Sequence, residues 1–144
     1  MGTLNSVYSK IIPAGLLLCL LLMAGTCKKK DDKKTAALAN ALLGKTWLHS
    51  HEDDRGDTLV YRPNSYDFPP ARGRTGFTME ADGTFRQYDI APTDGLEEHP
   101  GRWEIVNDKV LNVTFPDKKS TDFQVEVFSA EPEMLKVKKQ YKNQ

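Results

Sequence analysis

Cysteine is almost absent from this chain, which has two cysteines in 144 residues, Cys19 and Cys27. Residues 28–144 therefore contain no thiol and form no disulfide, so a domain built from them depends on its core for stability. The chain also lacks a Gly-x-Ser-x-Gly motif and a phosphate-binding glycine loop. These absences remove the commonest sequence signatures of catalysis, and the sequence does not predict an enzyme.

An excess of charge of one sign is absent as well. Lysine and arginine together number 20, and aspartate and glutamate together also number 20. A protein that binds nucleic acid usually carries a basic surface or an overall positive charge. The composition therefore gives no reason to expect a nucleic-acid partner.

Long hydrophobic runs are limited to one segment near the amino terminus. Residues 11–26 carry no charge, but this run is shorter than the roughly 20 apolar residues of a membrane-spanning helix. Lys10 precedes the run and small residues end it, which is the order typical of a secretory signal. Residues 1–26 are therefore predicted to be a signal peptide, with a retained helical anchor as the alternative.

The segment before Cys27 reads Leu22-Met23-Ala24-Gly25-Thr26 and resembles the lipobox of bacterial lipoproteins. The resemblance implies that Cys27 becomes the first mature residue, carries acyl chains such as palmitate, and anchors the protein in the lipid bilayer of the cell envelope. A plain cleaved signal without lipid is the alternative. Lys30-Asp31-Asp32 resembles a sorting signal of outer-membrane lipoproteins, which leaves the cell surface and the periplasmic leaflet as the two possible locations.

After the signal, the sequence predicts a charged linker and then a single domain. Residues 27–41 are interpreted as a lipidated, solvated tether that ends in a short helix, whose apolar part is Ala36 to Leu43. Residues 42–142 alternate between apolar and polar positions in short runs separated by turn residues, which is typical of an all-β domain. The predicted strands are 46–52, 58–62, 74–81, 84–90, 101–106, 109–115, 122–129 and 134–141.

Short turns such as Asp82-Gly83 and Asn107-Asp108 favour hairpins between consecutive strands. We therefore expect an eight-stranded, antiparallel, up-and-down barrel, because closure removes exposed strand edges. The alternation assigns ten residues to the barrel interior: Trp47, Phe77, Met79, Phe85, Trp103, Ile105, Leu111, Val113, Phe123 and Val125.

The segments Leu43-Gly44-Lys45-Thr46-Trp47 and Gly101-Arg102-Trp103, with the short helix and the predicted strands, resemble the lipocalin-like domains of bacterial lipoproteins. The resemblance implies non-catalytic binding of a small, partly apolar ligand. The alternative function is a protein–protein interaction module, either an envelope assembly partner or a hydrolase inhibitor.

Two longer loops are predicted at 63–73 and 91–101, and strand counting places them together at the end where the first strand begins. This arrangement would bring Arg72 and Arg74 close to Asp94 and His99. The four side chains are a candidate rim for an anionic ligand or an acidic partner, since arginine pairs well with carboxylates and phosphates. A salt-bridged lid that ties the two loops together is the structural alternative.

His49 and His51 are separated by one residue in the first predicted strand, so their rings would project to the same face and form a weak candidate for metal binding. No third ligand is evident from the sequence. Neither a metal nor a cofactor is therefore predicted.

Overall fold

A computed structural model describes residues 28–93 and 95–142. One helix, α1 (Lys28–Leu42), precedes eight strands. The strands are β1 (Thr46–His49), β2 (Leu59–Pro63), β3 (Gly76–Met79), β4 (Thr84–Ile90), β5 (Leu96–Ile105), β6 (Val110–Thr114), β7 (Phe123–Glu131) and β8 (Met134–Tyr141). They close into an antiparallel barrel, which confirms the predicted fold class at this level.

The order of strands around the barrel is β1-β2-β8-β7-β6-β5-β4-β3, and this order differs from a pure meander at one place. Strand β1 lies between β2 and β3 and pairs antiparallel with both, so β2 and β3 run in the same direction. The barrel closes between β2 and β8 instead of between β1 and β8. Residues 64–75 therefore run from one end of the barrel to the other.

This strand order corrects the predicted position of the long loops. The turns at Asp82-Gly83, Asn107-Asp108 and Pro132-Glu133 lie at the end where β1 begins, which we call the turn end. The connection from β4 to β5 lies at the opposite end, where β1 finishes, and we call this the loop end. It is also shorter than predicted, because β5 begins at Leu96 and continues the pairing with β4 as far as Ile90.

Helix α1 begins earlier than the predicted apolar segment, because lysine favours a helix and the charged residues extend it. The chain divides between Lys33 and Lys34 into two compact units, and the second unit contains the barrel. Within it, Leu38 and Leu42 are buried in the barrel core. The indole nitrogen of Trp47 donates a hydrogen bond of 3.0 Å to the carbonyl oxygen of Leu42, and so joins the helix to β1 at the turn end.

The aromatic and aliphatic side chains of the inner face form one core together with Leu38 and Leu42 of α1. The ring of Phe85 lies within about 6 Å of the rings of Phe77, Phe115 and Phe123. All ten residues assigned to the interior belong to this core: six are buried and four, Phe77, Trp103, Ile105 and Val125, are partly buried. Trp103 also donates a hydrogen bond of 2.9 Å from its indole nitrogen to the carbonyl oxygen of Glu80.

Candidate functional site

The connection between β2 and β3, residues 64–75, is fixed to the barrel by Arg74. Its guanidinium forms a bidentate ion pair with Glu52 and donates hydrogen bonds of 3.0 Å to the carbonyl oxygens of His49 and Pro69. It also lies over the ring of Phe68, 4.4 Å from the centroid. Only 7% of the Arg74 side chain is exposed, so this residue holds the connection in place.

The partner of Arg74 differs from the one expected. Glu52 belongs to a short 3-10 helix, His51–Asp53, in the connection from β1 to β2. The hydrogen bonds from Arg74 hold the pKa of the Glu52 carboxyl well below its ordinary value. The prediction assumed a pure meander and therefore placed Arg74 beside the β4–β5 loop. It missed the pair with Glu52 for this reason.

Arg72 lies in a groove of about 450 Å³ on the outside of the barrel at the loop end. The groove separates the 64–75 connection from the outer faces of β1, β4 and β5. Its lining is mainly apolar and consists of Leu48, Phe68, Pro69, Ala71, Arg72, Gly73, Arg74, Ile90, Gly95 and Leu96. Parts of the two predicted loops therefore do meet, although the place where they meet is an external groove.

Two exposed apolar residues form one wall of this groove. Ile90 and Leu96 face each other across the β4–β5 ladder, and they are 47% and 63% exposed. Exposure of apolar side chains of this size to water is unfavourable, and their burial against an apolar partner would lower the free energy. With Arg72 beside them, they offer an apolar surface next to a positive charge.

The remaining members of the predicted rim are distributed differently. His99 faces the barrel interior, where its Nε2 lies 3.7 Å from an oxygen of Asp89. Asp94 lies outside the described residues. Of the four predicted rim residues, Arg72 and Arg74 line the groove.

The inner face also carries a group of polar side chains towards the loop end. His49, Tyr61, Gln87, Asp89, His99 and Lys139 point inward here, as the strand registers show. The amide of Gln87 donates a hydrogen bond of 2.5 Å to Asp89. A cavity of about 40 Å³ lies among Tyr61, Gln87, Asp89 and Lys139. We call this group the polar chamber.

Burial changes the acid–base properties of two groups in the polar chamber. The amine of Lys139 has a pKa lowered from 10.5 to about 8, because desolvation opposes its charged form. Desolvation likewise raises the pKa of Tyr61, and nearby acidic groups add to the effect. The sequence analysis did not assign these residues a role. The signal was present, since Lys139 follows Leu135 and Val137 at the two-residue spacing of one strand face.

The two histidines do not form the predicted pair on one strand, because β1 ends at His49 and His51 begins the 3-10 helix. The Nε2 of His49 lies 2.9 Å from Asp54, whose other carboxylate oxygen accepts the backbone N–H of Val60. His51 lies beside Arg74 and Glu52. Among residues 28–93 and 95–142, no group of three or more His, Cys, Asp or Glu side chains is arranged to hold a metal ion.

The predicted lipidation site, Cys27, lies outside the described residues, as does the predicted signal peptide. Within the described part of the chain, no helix has the length and hydropathy required to span a membrane.

Comparisons with models of protein families, with curated proteins and with solved structures gave no match for this chain.

Proposed function

We propose that the protein is a lipocalin-like lipoprotein of the bacterial cell envelope, anchored through Cys27, that binds a small, partly apolar ligand without catalysis. The observation that carries the ligand-binding proposal is the groove at the loop end. Its volume of about 450 Å³ lies within the range of about 300–1,000 Å³ found for small-molecule sites.

The groove is a better ligand seat than the barrel interior. Aromatic and aliphatic side chains fill much of the interior, and the cavity in the polar chamber measures only about 40 Å³. A drug-sized ligand needs a site several times larger. The ligand is therefore proposed to lie outside the barrel wall, between Phe68 and the pair of Ile90 and Leu96.

The groove lining also suggests the ligand's chemistry. Ile90 and Leu96 favour an apolar group, because contact with it removes their exposed surface from water. Arg72 contributes a positive charge to the same groove. A ligand with an apolar body and one acidic group fits this combination, since a guanidinium pairs with carboxylate or phosphate.

Titration with 8-anilinonaphthalene-1-sulfonate, an apolar anion, tests the groove. We expect saturable fluorescence enhancement by the wild type and about tenfold weaker binding by Leu96→Ser, because the variant loses apolar contact. Arg72→Ala should also weaken binding, and more so at low salt than at high salt. Phe128→Ser is the control, since Phe128 is 51% exposed on β7, away from the groove.

Equal binding by the wild type, Leu96→Ser and Arg72→Ala would exclude the groove as the seat. Native mass spectrometry of protein purified from its own host then addresses the natural ligand. A bound small molecule that disappears in Leu96→Ser but remains in Phe128→Ser supports the proposal. A protein that carries no small molecule in repeated preparations contradicts it.

A protein partner is the second candidate, and the exposure of Ile90 and Leu96 side by side favours it. An envelope assembly partner or a hydrolase would cover both side chains and meet Arg72 with an acidic residue. A pull-down with wild type, Arg72→Ala and Leu96→Ser tests this function. A partner lost from both variants but retained by Phe128→Ser supports it, and an unchanged set of partners contradicts it. Arg74 is unsuitable for this test because it holds the 64–75 connection in place.

A further inference from the structure

Lys139 occupies an unusual position for a lysine, on the inner face of β8 opposite Val125. Its ammonium nitrogen lies 3.7 Å from the ring centroid of Phe123 and 5.1 Å from that of Tyr141. Among the described residues, no carboxylate lies within 4 Å of this nitrogen. The amine therefore has aromatic faces as its close neighbours instead of an ion pair.

This environment favours the neutral form of the amine. The rings attract an ammonium, but they do not replace the water that burial removes. The carboxylate that faces Lys139 from β4 is Asp89, which is also engaged by Gln87 at 2.5 Å and by His99 at 3.7 Å. Tyr61 faces it from β2, and the phenol of Tyr141 lies on its own strand. Desolvation outweighs the attraction of Asp89, and the pKa of Lys139 falls to about 8.

The amine also borders open space. Lys139 lines the cavity of about 40 Å³, together with Thr75, Gly76 and Gln87. A water molecule needs roughly 10–15 Å³ of such space, so the cavity suits a molecule of about three or four heavy atoms. A small molecule in the cavity would therefore lie next to the Lys139 nitrogen.

We propose that Lys139 is a nucleophilic amine that captures small aldehydes as an imine in the polar chamber. The lone pair of the neutral nitrogen attacks the carbonyl carbon, and one proton passes from nitrogen to oxygen to give a carbinolamine. The carbinolamine loses its oxygen and two hydrogens as water, and a carbon–nitrogen double bond forms. No oxidant or reductant is needed, and the aldehyde is the single co-reactant.

The test uses the full-length wild-type protein, acetaldehyde as the probe and sodium cyanoborohydride to trap the imine as an ethyl group. Peptide mass spectrometry then measures the initial ethylation rate of each lysine at pH 7. We expect Lys139 to react about tenfold faster than Lys136, the exposed lysine on the outer face of the same strand. The reason is that a larger fraction of Lys139 is neutral at this pH.

Two further measurements separate this site from ordinary lysine chemistry. The ethylation rate of Lys139 should level off above pH 8, because its amine is mostly neutral there. Benzaldehyde, which exceeds the cavity, should remove the preference for Lys139. The proposal is overturned if Lys139 reacts no faster than Lys136 with acetaldehyde, or if benzaldehyde shows the same preference. The groove does not enter this test, so its result is independent of the proposed ligand site.

Discussion

At the scale of single residues, burial of the Lys139 amine on the inner face of the barrel costs folding free energy. A pKa of about 8 in place of 10.5 means that the folded state disfavours the ammonium by about 3 kcal/mol. Between these two pH values the unfolded chain holds a proton that the folded chain releases, so stability rises with pH in this window. Lysine at this position therefore reduces stability at neutral pH.

Lys139→Met should stabilise the protein at pH 7 by about 1–3 kcal/mol, because methionine has a similar length and no charge to desolvate. The variant loses the cation–π contacts with Phe123 and Tyr141, and this loss offsets part of the gain in stability. Urea denaturation at pH 7 and pH 10 measures the effect. The difference between variant and wild type should shrink at pH 10, and a difference that is equal at both pH values would contradict the assigned cause.

Gly76 is a second residue whose identity is dictated by its surroundings. A Cβ at this position would collide with the carbonyl oxygen of Trp47 and approach the Leu48 side chain to 2.9 Å. We expect Gly76→Ala to destabilise the barrel by about 1–3 kcal/mol, because β1 and β3 must separate. Gly95→Ala is the matched control, since nothing lies within 4 Å of its Cβ position. Thermal unfolding of both variants tests this, and equal melting temperatures would contradict it.

Sequence reasoning succeeded at this scale where side chains follow the two-residue period of a strand. That period placed the ten predicted interior residues, all of which lie in the core. The two-residue period did not distinguish the apolar core from the polar chamber, because Asp89 and Lys139 lie on the same strand faces as their apolar neighbours. The role of Lys139 depends on Phe123, a residue of β7 that only tertiary structure brings to it.

At the scale of elements, the 64–75 connection determines both the strand order and the groove. Strands β2 and β3 are parallel in direction and separated by β1, so the chain between them must pass along the barrel. Turn residues in the sequence favour hairpins between consecutive strands. No local sequence pattern indicates that β1 lies between β2 and β3. The length of the connection was the available signal, because a hairpin needs only a few residues.

Acidification should release the 64–75 connection, because Arg74 holds it through Glu52. The folded state lowers the pKa of Glu52 from 4.5 to about 2, so the unfolded chain takes up the proton first as the pH falls. The ion pair therefore contributes stability above pH 4.5, and this contribution is lost as the pH falls towards 2. We expect Glu52→Gln to be less stable than the wild type at pH 7 and to lose less stability between these two pH values.

Hydrogen-exchange protection factors of the 64–75 amides, corrected for the intrinsic pH dependence of exchange, measure this release when pH 6 is compared with pH 3. Asp117→Asn is a suitable control, since Asp117 lies in the β6–β7 connection and takes part in no ion pair among the described residues. An acid response of Glu52→Gln that equals the response of both the wild type and the control would show that another group governs the connection.

At the scale of the whole molecule, closure and packing replace the cysteine chemistry that residues 28–144 lack. Strand β8 pairs with β2, so the barrel has no open edge, and α1 places Leu38 and Leu42 in the core at the turn end. The sequence was sufficient to predict a barrel of eight strands with a preceding helix. It was insufficient to place the groove, whose lining brings together Leu48, Phe68 and Leu96 from distant parts of the chain.

The proposed anchor at Cys27 predicts the behaviour of Cys27→Ala. We expect this variant to lose palmitate labelling and to move from the membrane fraction to the soluble fraction, because several acyl chains are needed for stable membrane attachment. Its barrel should unfold at the same temperature as the wild-type barrel, since the core lies entirely within residues 38–137. Lys28→Ala, adjacent to the cysteine, should leave labelling and fractionation unchanged. A Cys27→Ala variant that is still labelled and still sediments with membranes would show that the chain is held there by another segment, for which residues 11–26 are the first candidate.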